Sequence, residues 1–165
     1  MRAAVLTVSD RCFKGERPDL GGPQVVGWLE RQGCVVACRT IVPDDEAGIA
    51  DRLRKWADGG EVELIVTTGG TGVSPRDVTP EATMQVLERV IPGFGEAMRV
   101  ESLKNTPTAI LSRAVAGVRG KTLIINLPGS PQGALENLAA VWAAVPHAVA
   151  KIGGDSSDCH FEIQG

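Results

Sequence analysis

The densest run of residues able to do chemistry is Thr67-Thr68-Gly69-Gly70-Thr71-Gly72, which follows an apolar stretch and precedes Arg76-Asp77. Glycine lets the backbone approach a ligand closely and adopt dihedrals that other residues avoid. Consecutive N–H groups can then line a concavity, to which the threonine hydroxyls add donors. Such a loop suits a phosphate; the alternative is a tight turn with solvated side chains. Its spacing matches neither a Walker loop nor a dinucleotide fingerprint. Asp77 would repel a phosphate bound there unless a divalent cation or a pterin-like donor came with it, and otherwise it is a helix cap or a surface carboxylate.

A second cluster, Asn126-Leu127-Pro128-Gly129-Ser130-Pro131, also follows an apolar run and leads into a helix containing Glu136. The Asn126 amide can read a purine or pterin edge, and the N–H groups of Gly129 and Ser130 sit where a helix start favours negative charge. A rigid Pro-Gly turn is the other reading. Ser9-Asp10-Arg11 and Pro43-Asp44-Asp45 end two further apolar runs. Asp45 can cap a helix, and Asp44 reads equally as a cap or a ligand. Together, Asp44 and Asp77 could hold one magnesium ion against a nucleotide. Ser112-Arg113 offers a guanidinium fork for phosphate, or a plain surface arginine. His147 and His160 have no partner at metal-ligand spacing and read as structural. No Ser-His-Asp set or cysteine nucleophile can be assembled.

These loops need strands to end on. Residues 3–8 read as a buried strand, 24–32 as a helix stopped by Gly33, and 34–42 as a second strand. Residues 45–58 place Ile49, Leu53 and Trp56 on one helical face, and 64–68 form a short strand. A helix is expected from Pro80 through Val90, capped by Thr79 and broken at Pro92-Gly93. Residues 94–104 form another helix, 114–118 and 122–127 a strand pair joined through Gly120, and 135–149 a helical segment closing the core. Strands alternating with helix-length segments imply an α/β, three-layer α/β/α sandwich with a largely parallel sheet. Its ligand loops would lie at the carboxyl ends of the strands.

With 165 residues, 43% hydrophobic and 22% charged, the chain is expected to be one domain spanning 1–165. Residues 153–165 form a polar tail, either mobile or strapped over a neighbouring surface. A net charge of -3 without a run of Lys and Arg argues against nucleic acid as a partner. The apolar amino-terminal stretch is too short for a signal or membrane segment, so a cytoplasmic protein with no membrane partner is expected. Cys12, Cys34, Cys38 and Cys159 contain no CxxC pair and are expected as reduced thiols. Cys34 and Cys38, an even number of residues apart, should point to one sheet face as small buried hydrophobes.

Several motifs occur together and in order: TVSD at 7–10, PDD at 43–45, TTGGTG at 67–72, RDVTPEA at 76–82, PGFGEAMR at 92–99, AILSRAVAG at 109–117 and NLPGSP at 126–131. This set resembles the molybdopterin adenylyltransferase family over nearly the whole chain up to about Lys151. The resemblance implies the molybdenum cofactor biosynthesis protein-like fold, a homotrimer, and magnesium-dependent transfer of AMP from ATP to the terminal phosphate of molybdopterin with release of pyrophosphate. It gives Asp44 and Asp77 the functional roles. Thr67, Thr68, Gly69, Gly70, Thr71, Gly72, Ser112, Pro128, Gly129 and Ser130 would contact pterin or nucleotide, and Ser9 and Asn126 the adenylate; Asp10 and Arg113 complete the expected binding set. A downstream molybdate-insertion enzyme is an implied partner. A non-catalytic molybdopterin-binding paralogue or carrier, and an oligomeric scaffold, are the alternatives.

Overall fold

A computed structural model of the chain describes residues 1–156. All but the first four residues of the expected tail, including Cys159 and His160, lie outside the described residues. The element order is β1 (Arg2–Val8), α1 (Asp10–Phe13), α2 (Gly21–Arg31), β2 (Val35–Val42), α3 (Glu46–Asp58), β3 (Leu64–Thr68), α4 (Thr79–Met84), β4 (Arg89–Val90) and α5 (Pro92–Leu103). After a 3-10 turn at Pro107–Leu111 come β5 (Ala116–Arg119), β6 (Thr122–Leu127), α6 (Pro131–Val141), a second 3-10 turn and α7 (Val145–Ile152).

The strands form one six-stranded sheet in the order β2-β1-β3-β6-β5-β4. β1, β2, β3 and β6 run parallel, while β5 is antiparallel to both its neighbours. In β1 every residue after Arg2 is buried, as is all of β3 and β6. Continuous apolar runs are what a parallel strand covered on both faces requires. Alternate side chains feed two cores. Ala3 and Val5 join Val25, Leu29, Met98 and Leu138 under α2, α5 and α6, whereas Ala4, Leu6 and Val8 join Ile49, Leu53 and Ala82 under α3 and α4. This is the three-layer α/β/α arrangement expected from the sequence.

Four local expectations need correction. The helix expected from Pro80 to Val90 ends at Met84, and Arg89–Val90 pair with Val118 and Gly117 as an edge strand. The open edge of β5 draws the segment into the sheet, with the Glu88 and Ile91 N–H groups donating to the Val118 and Ala116 carbonyls, both at 2.8 Å. Pro92, which disfavours helical dihedrals at Ile91 (φ -116°, ψ 85°), ends the strand ahead of α5. Val78, not Thr79, occupies the cap position of α4. α2 starts at Gly21, three residues early, because the Asp19 carboxylate accepts the Gly22 N–H at 2.9 Å and satisfies the helix start. Cys34 and Cys38 do not share a face. The β1–β2 register shifts between Ala3/Val36 and Ala4/Cys38, and the extra residue inverts the parity. Cys34 therefore packs in the first core and Cys38 against the second.

Candidate active site

The sheet order puts the ends of β2, β1, β3 and β6 side by side, so Asp44, Ser9, Gly69 and Pro128 meet at one edge although they are far apart in sequence. From β1 the chain crosses first to β2 and then back past β1 to β3. The β1/β3 gap is therefore the point where the winding reverses and a crevice opens. The glycine loop is wedged into it. Gly69 has a φ of +106°, and a Cβ there would lie 2.2 Å from the Val8 carbonyl oxygen. Gly70 has a φ of +64°, and its Cβ would lie 2.4 Å from the Thr79 hydroxyl and 3.2 Å from Oδ1 of Asp44. Only glycine fits at either place. The Thr79 hydroxyl donates to the Gly69 carbonyl at 2.9 Å, and the Thr68 hydroxyl to the Pro128 carbonyl at 2.8 Å, so both ligand loops are pinned to the scaffold.

Two clefts flank this loop and share Gly70, Gly129 and Ser130 as a common wall. The first, of about 610 Å³, is lined by Ser9, Asp44, Thr68 and Gly69 at the winding reversal. The second, of about 580 Å³, is lined by Thr71, Gly72, Asp77, Ser112 and Pro128. Each has the size of a small-molecule site. Asp44 thus faces one cleft and Asp77 the other, across a single glycine loop.

The acidic groups are organised rather than merely clustered. The Asp10 N–H donates to Oδ2 of Asp44 at 2.7 Å, and the Asp44 N–H to Oδ1 of Asp10 at 3.0 Å. Arg76 places Nη2 and Nε on Oδ2 of Asp10 at 2.6 and 3.1 Å, which holds that carboxyl below the usual aspartate range. Burial pushes the Asp44 carboxyl up; the Asp10 amide opposes this, and the negative charges of Asp10 and Asp77 reinforce it. Oδ2 of Asp77 accepts the Ser74 N–H at 2.8 Å. Among the described residues, Oδ1 of Asp44 and Oδ1 of Asp77 accept no hydrogen bond, and no group of three or more His, Cys, Asp or Glu could hold a metal. Each of the two carboxylates thus keeps an oxygen open to a cation whose shell substrate oxygens and water would complete, a donor type that suits magnesium.

Thr67 and Asn126 lie elsewhere than expected. Both are fully buried, and the Asn126 amide donates to the hydroxyls of Thr67 at 3.0 Å and Thr83 at 2.9 Å. Its oxygen faces the Val115 N–H at 3.4 Å. The amide knits β3, β6 and α4 together beneath the loop and has no edge to offer a base. Arg113, part-exposed, is already engaged by the scaffold. Nε donates to the Gly72 carbonyl at 2.7 Å, Nη2 to the Asp77 carbonyl and Nη1 to Glu81, so the guanidinium braces both ends of the Gly72–Asp77 turn instead of waiting for phosphate. That pairing holds the Glu81 carboxyl below its usual range. The Ser9 hydroxyl caps α1 by accepting the Cys12 N–H at 3.3 Å. His147 lies on α7, outside both clefts.

Other lining residues escaped sequence reading. Asp19, its side chain 5% exposed, accepts from the Thr7 hydroxyl at 2.9 Å and lines the first cleft. Its signal was an acid just ahead of Gly21-Gly22-Pro23, the pattern of a helix start. Arg99, Ser102 and Asn137 line the second. Asn137 shares the buried face of α6 with Ala134, Leu138 and Val141, where a polar residue among apolar ones marks it out.

Comparison with known proteins agrees with this geometry. The family model described as probable molybdopterin binding domain matches residues 4–147. A molybdopterin adenylyltransferase of Helicobacter pylori is 47% identical over 153 residues, covering 92% of this chain and 87% of that protein. The molybdenum cofactor synthesis protein cinnamon of Drosophila melanogaster is 45% identical over 167 residues, of which the match spans 98% of this chain but only 28% of the longer protein. The crystal structure of the molybdopterin biosynthesis enzyme MoaB from Thermus thermophilus superposes with a TM-score of 0.88 at 50% identity, covering 93% of this chain and 97% of that one. Matched over most of its length in both sequence and fold, the chain belongs to the probable molybdopterin binding domain family.

Proposed function

We propose that this chain is a molybdopterin adenylyltransferase, transferring AMP from ATP to the terminal phosphate of molybdopterin with release of pyrophosphate. The observation that carries this reading is the pair of clefts sharing one wall at Gly70, Gly129 and Ser130, with a carboxylate on each side. A reaction between two phosphorylated substrates needs two adjoining sites and a junction where their phosphates meet. The curated relatives that carry the adenylyltransferase name match across most of their own length. Joining one phosphate to another calls for alignment and charge neutralisation more than for an acid–base group. The chain's own contribution is positional. Thr79 and Thr68 hold the two loops, and Arg113 fixes the turn that carries Asp77.

Asp44 and Asp77 are the residues that would hold magnesium. Bound there, the ion would offset phosphate charge and relieve the mutual repulsion of these carboxylates. A homotrimer and a cytoplasmic setting belong to the same proposal. Val100, Leu103, Ile110 and Leu111 leave apolar surface exposed for a partner copy, and Cys12, Cys34 and Cys38 are free thiols. No helix among the described residues is long and apolar enough to cross a membrane.

The test follows label from ATP carrying a tagged α-phosphate, incubated with molybdopterin, magnesium and the purified protein. The label is expected in the pterin product, with unlabelled pyrophosphate released in equal amount. Molybdopterin bound without label transfer supports the carrier alternative instead.

A further inference from the structure

We infer that Arg99 is the anion-holding side chain of the second cleft, and that its anion is the terminal phosphate of the pterin substrate rather than a phosphate of the nucleotide. This rests on the adenylyl-transfer reading above. Arg99 lies half-buried on α5 and lines the cleft together with Thr71, Gly72, Asp77 and Ser112. Its Nη1 donates to the carbonyl oxygens of Ser112 and Ala114, both at 3.3 Å. That segment is tied to the glycine loop, because the Arg113 N–H donates to the Thr71 carbonyl at 2.9 Å. One nitrogen therefore sets the guanidinium against the loop wall, while Nε and Nη2 donate to nothing among the described residues.

No carboxylate pairs with Arg99 among the described residues. The acids lining the same cleft have other partners. Glu136 accepts from Asn105 at 3.2 Å and from Gln132 at 2.8 Å, and Asp77 accepts from the Ser74 N–H at 2.8 Å. A partly desolvated cation without a counter-ion is costly until an anion joins it, and a guanidinium matches the oxygens of phosphate. A second group points the same way. Asn137 is 4% exposed; its oxygen accepts the Ser102 hydroxyl at 2.8 Å, which leaves the amide nitrogen without an acceptor among the described residues.

The choice between phosphates follows from the place of the first cleft, which opens at the winding reversal of the sheet, where doubly wound folds take nucleotides, and this leaves the second cleft to the pterin. Asn105, Thr106, Gln132 and Asn137 give the second cleft amides and hydroxyls for the edge of such a ring, as they would for a purine. In the transfer, an oxygen of the pterin-side phosphate forms the new bond to the α-phosphorus of ATP. The bond to the pyrophosphate oxygen breaks, and pyrophosphate leaves with that electron pair. A dianionic nucleophile approaching a polyphosphate needs a cation of its own, and Arg99 supplies it from the pterin side.

Steady-state pyrophosphate release by Arg99→Gln and Arg99→Lys, with each substrate varied in turn, tests this. Glutamine keeps a polar amide at this position but carries no charge. It is expected to raise KM for molybdopterin about tenfold or more while KM for ATP stays within about twofold. Lysine should recover part of the loss, and added salt should weaken molybdopterin binding more in the parent than in Arg99→Gln. An increase confined to the ATP KM, an equal increase in both, or no change overturns the inference while leaving adenylyl transfer in place. A parent protein that neither releases pyrophosphate nor binds molybdopterin overturns the underlying reading and this inference with it.

Discussion

Asp44 concentrates the opposing forces of the site in one side chain. Its carboxyl is raised by burial and by the neighbouring negative charges, against the pull of the Asp10 amide and Arg76. When the folded value is raised, the unfolded chain ionises first as pH increases. Charged Asp44 therefore lowers stability once pH has passed the usual aspartate range, and the loss is complete above the raised value. Asp44→Asn removes the charge and keeps a carbonyl oxygen for the Asp10 N–H. Without magnesium, this variant is expected to melt at a higher temperature than the parent at pH 7, with the gap closing as pH falls below the usual aspartate range. Thermal scans across pH check it, and a gap that widens on acidification contradicts it. Position was legible for this residue because an acid directly after a strand pattern falls on the ligand edge. Asn126 is the penultimate residue of such a run, where a strand side chain points to one side of the sheet or the other, and this one meets Thr67 and Thr83 in the interior.

Among the elements, the junction of β1 and β3 matters most, because the loop that separates the clefts is seated on the end of a strand from another part of the chain. Gly69 combines a positive φ with a Cβ position 2.2 Å from backbone oxygen that has no freedom to move aside. Gly69→Ala is expected to cost about 3 kcal/mol, the sum of the dihedral strain and the overlap. Gly33 has a similar φ of +82° with nothing near its Cβ position, so Gly33→Ala should cost only about 1 kcal/mol. Denaturant midpoints for the two variants check the contrast, and equal losses would mean that the close approach at Val8 is not maintained. Glycine signals in sequence distinguish these two poorly. Both end a regular element, and only the pairing of β1 with β3 brings a carbonyl against one of them.

At the scale of the molecule, the layered fold was readable because residues 3–8, 64–68 and 122–127 are short runs of mainly apolar and β-branched residues separated by helix-length segments. Arg89–Val90 were not, since two residues become a strand only through pairing with β5, and nothing local records that partner. The loops of the site were readable one by one, as glycine, hydroxyl and acid at strand ends. Their convergence was an expectation of topology that the order β2-β1-β3-β6 realises. The far wall of the second cleft was hidden, because Arg99 and Asn137 sit in amphipathic helices whose spacing resembles any other helix packed on a sheet. The central claim is that Asp44 and Asp77, facing different clefts, serve one reaction. Pyrophosphate release with saturating ATP, magnesium and molybdopterin by Asp44→Asn, Asp77→Asn and the double variant measures it directly. Each single change is expected to lower kcat by about a hundredfold or more, with the double variant no worse than about the poorer single, as for groups that act as a unit. Turnover that survives both single changes, or losses that multiply in the double variant, would contradict a shared site.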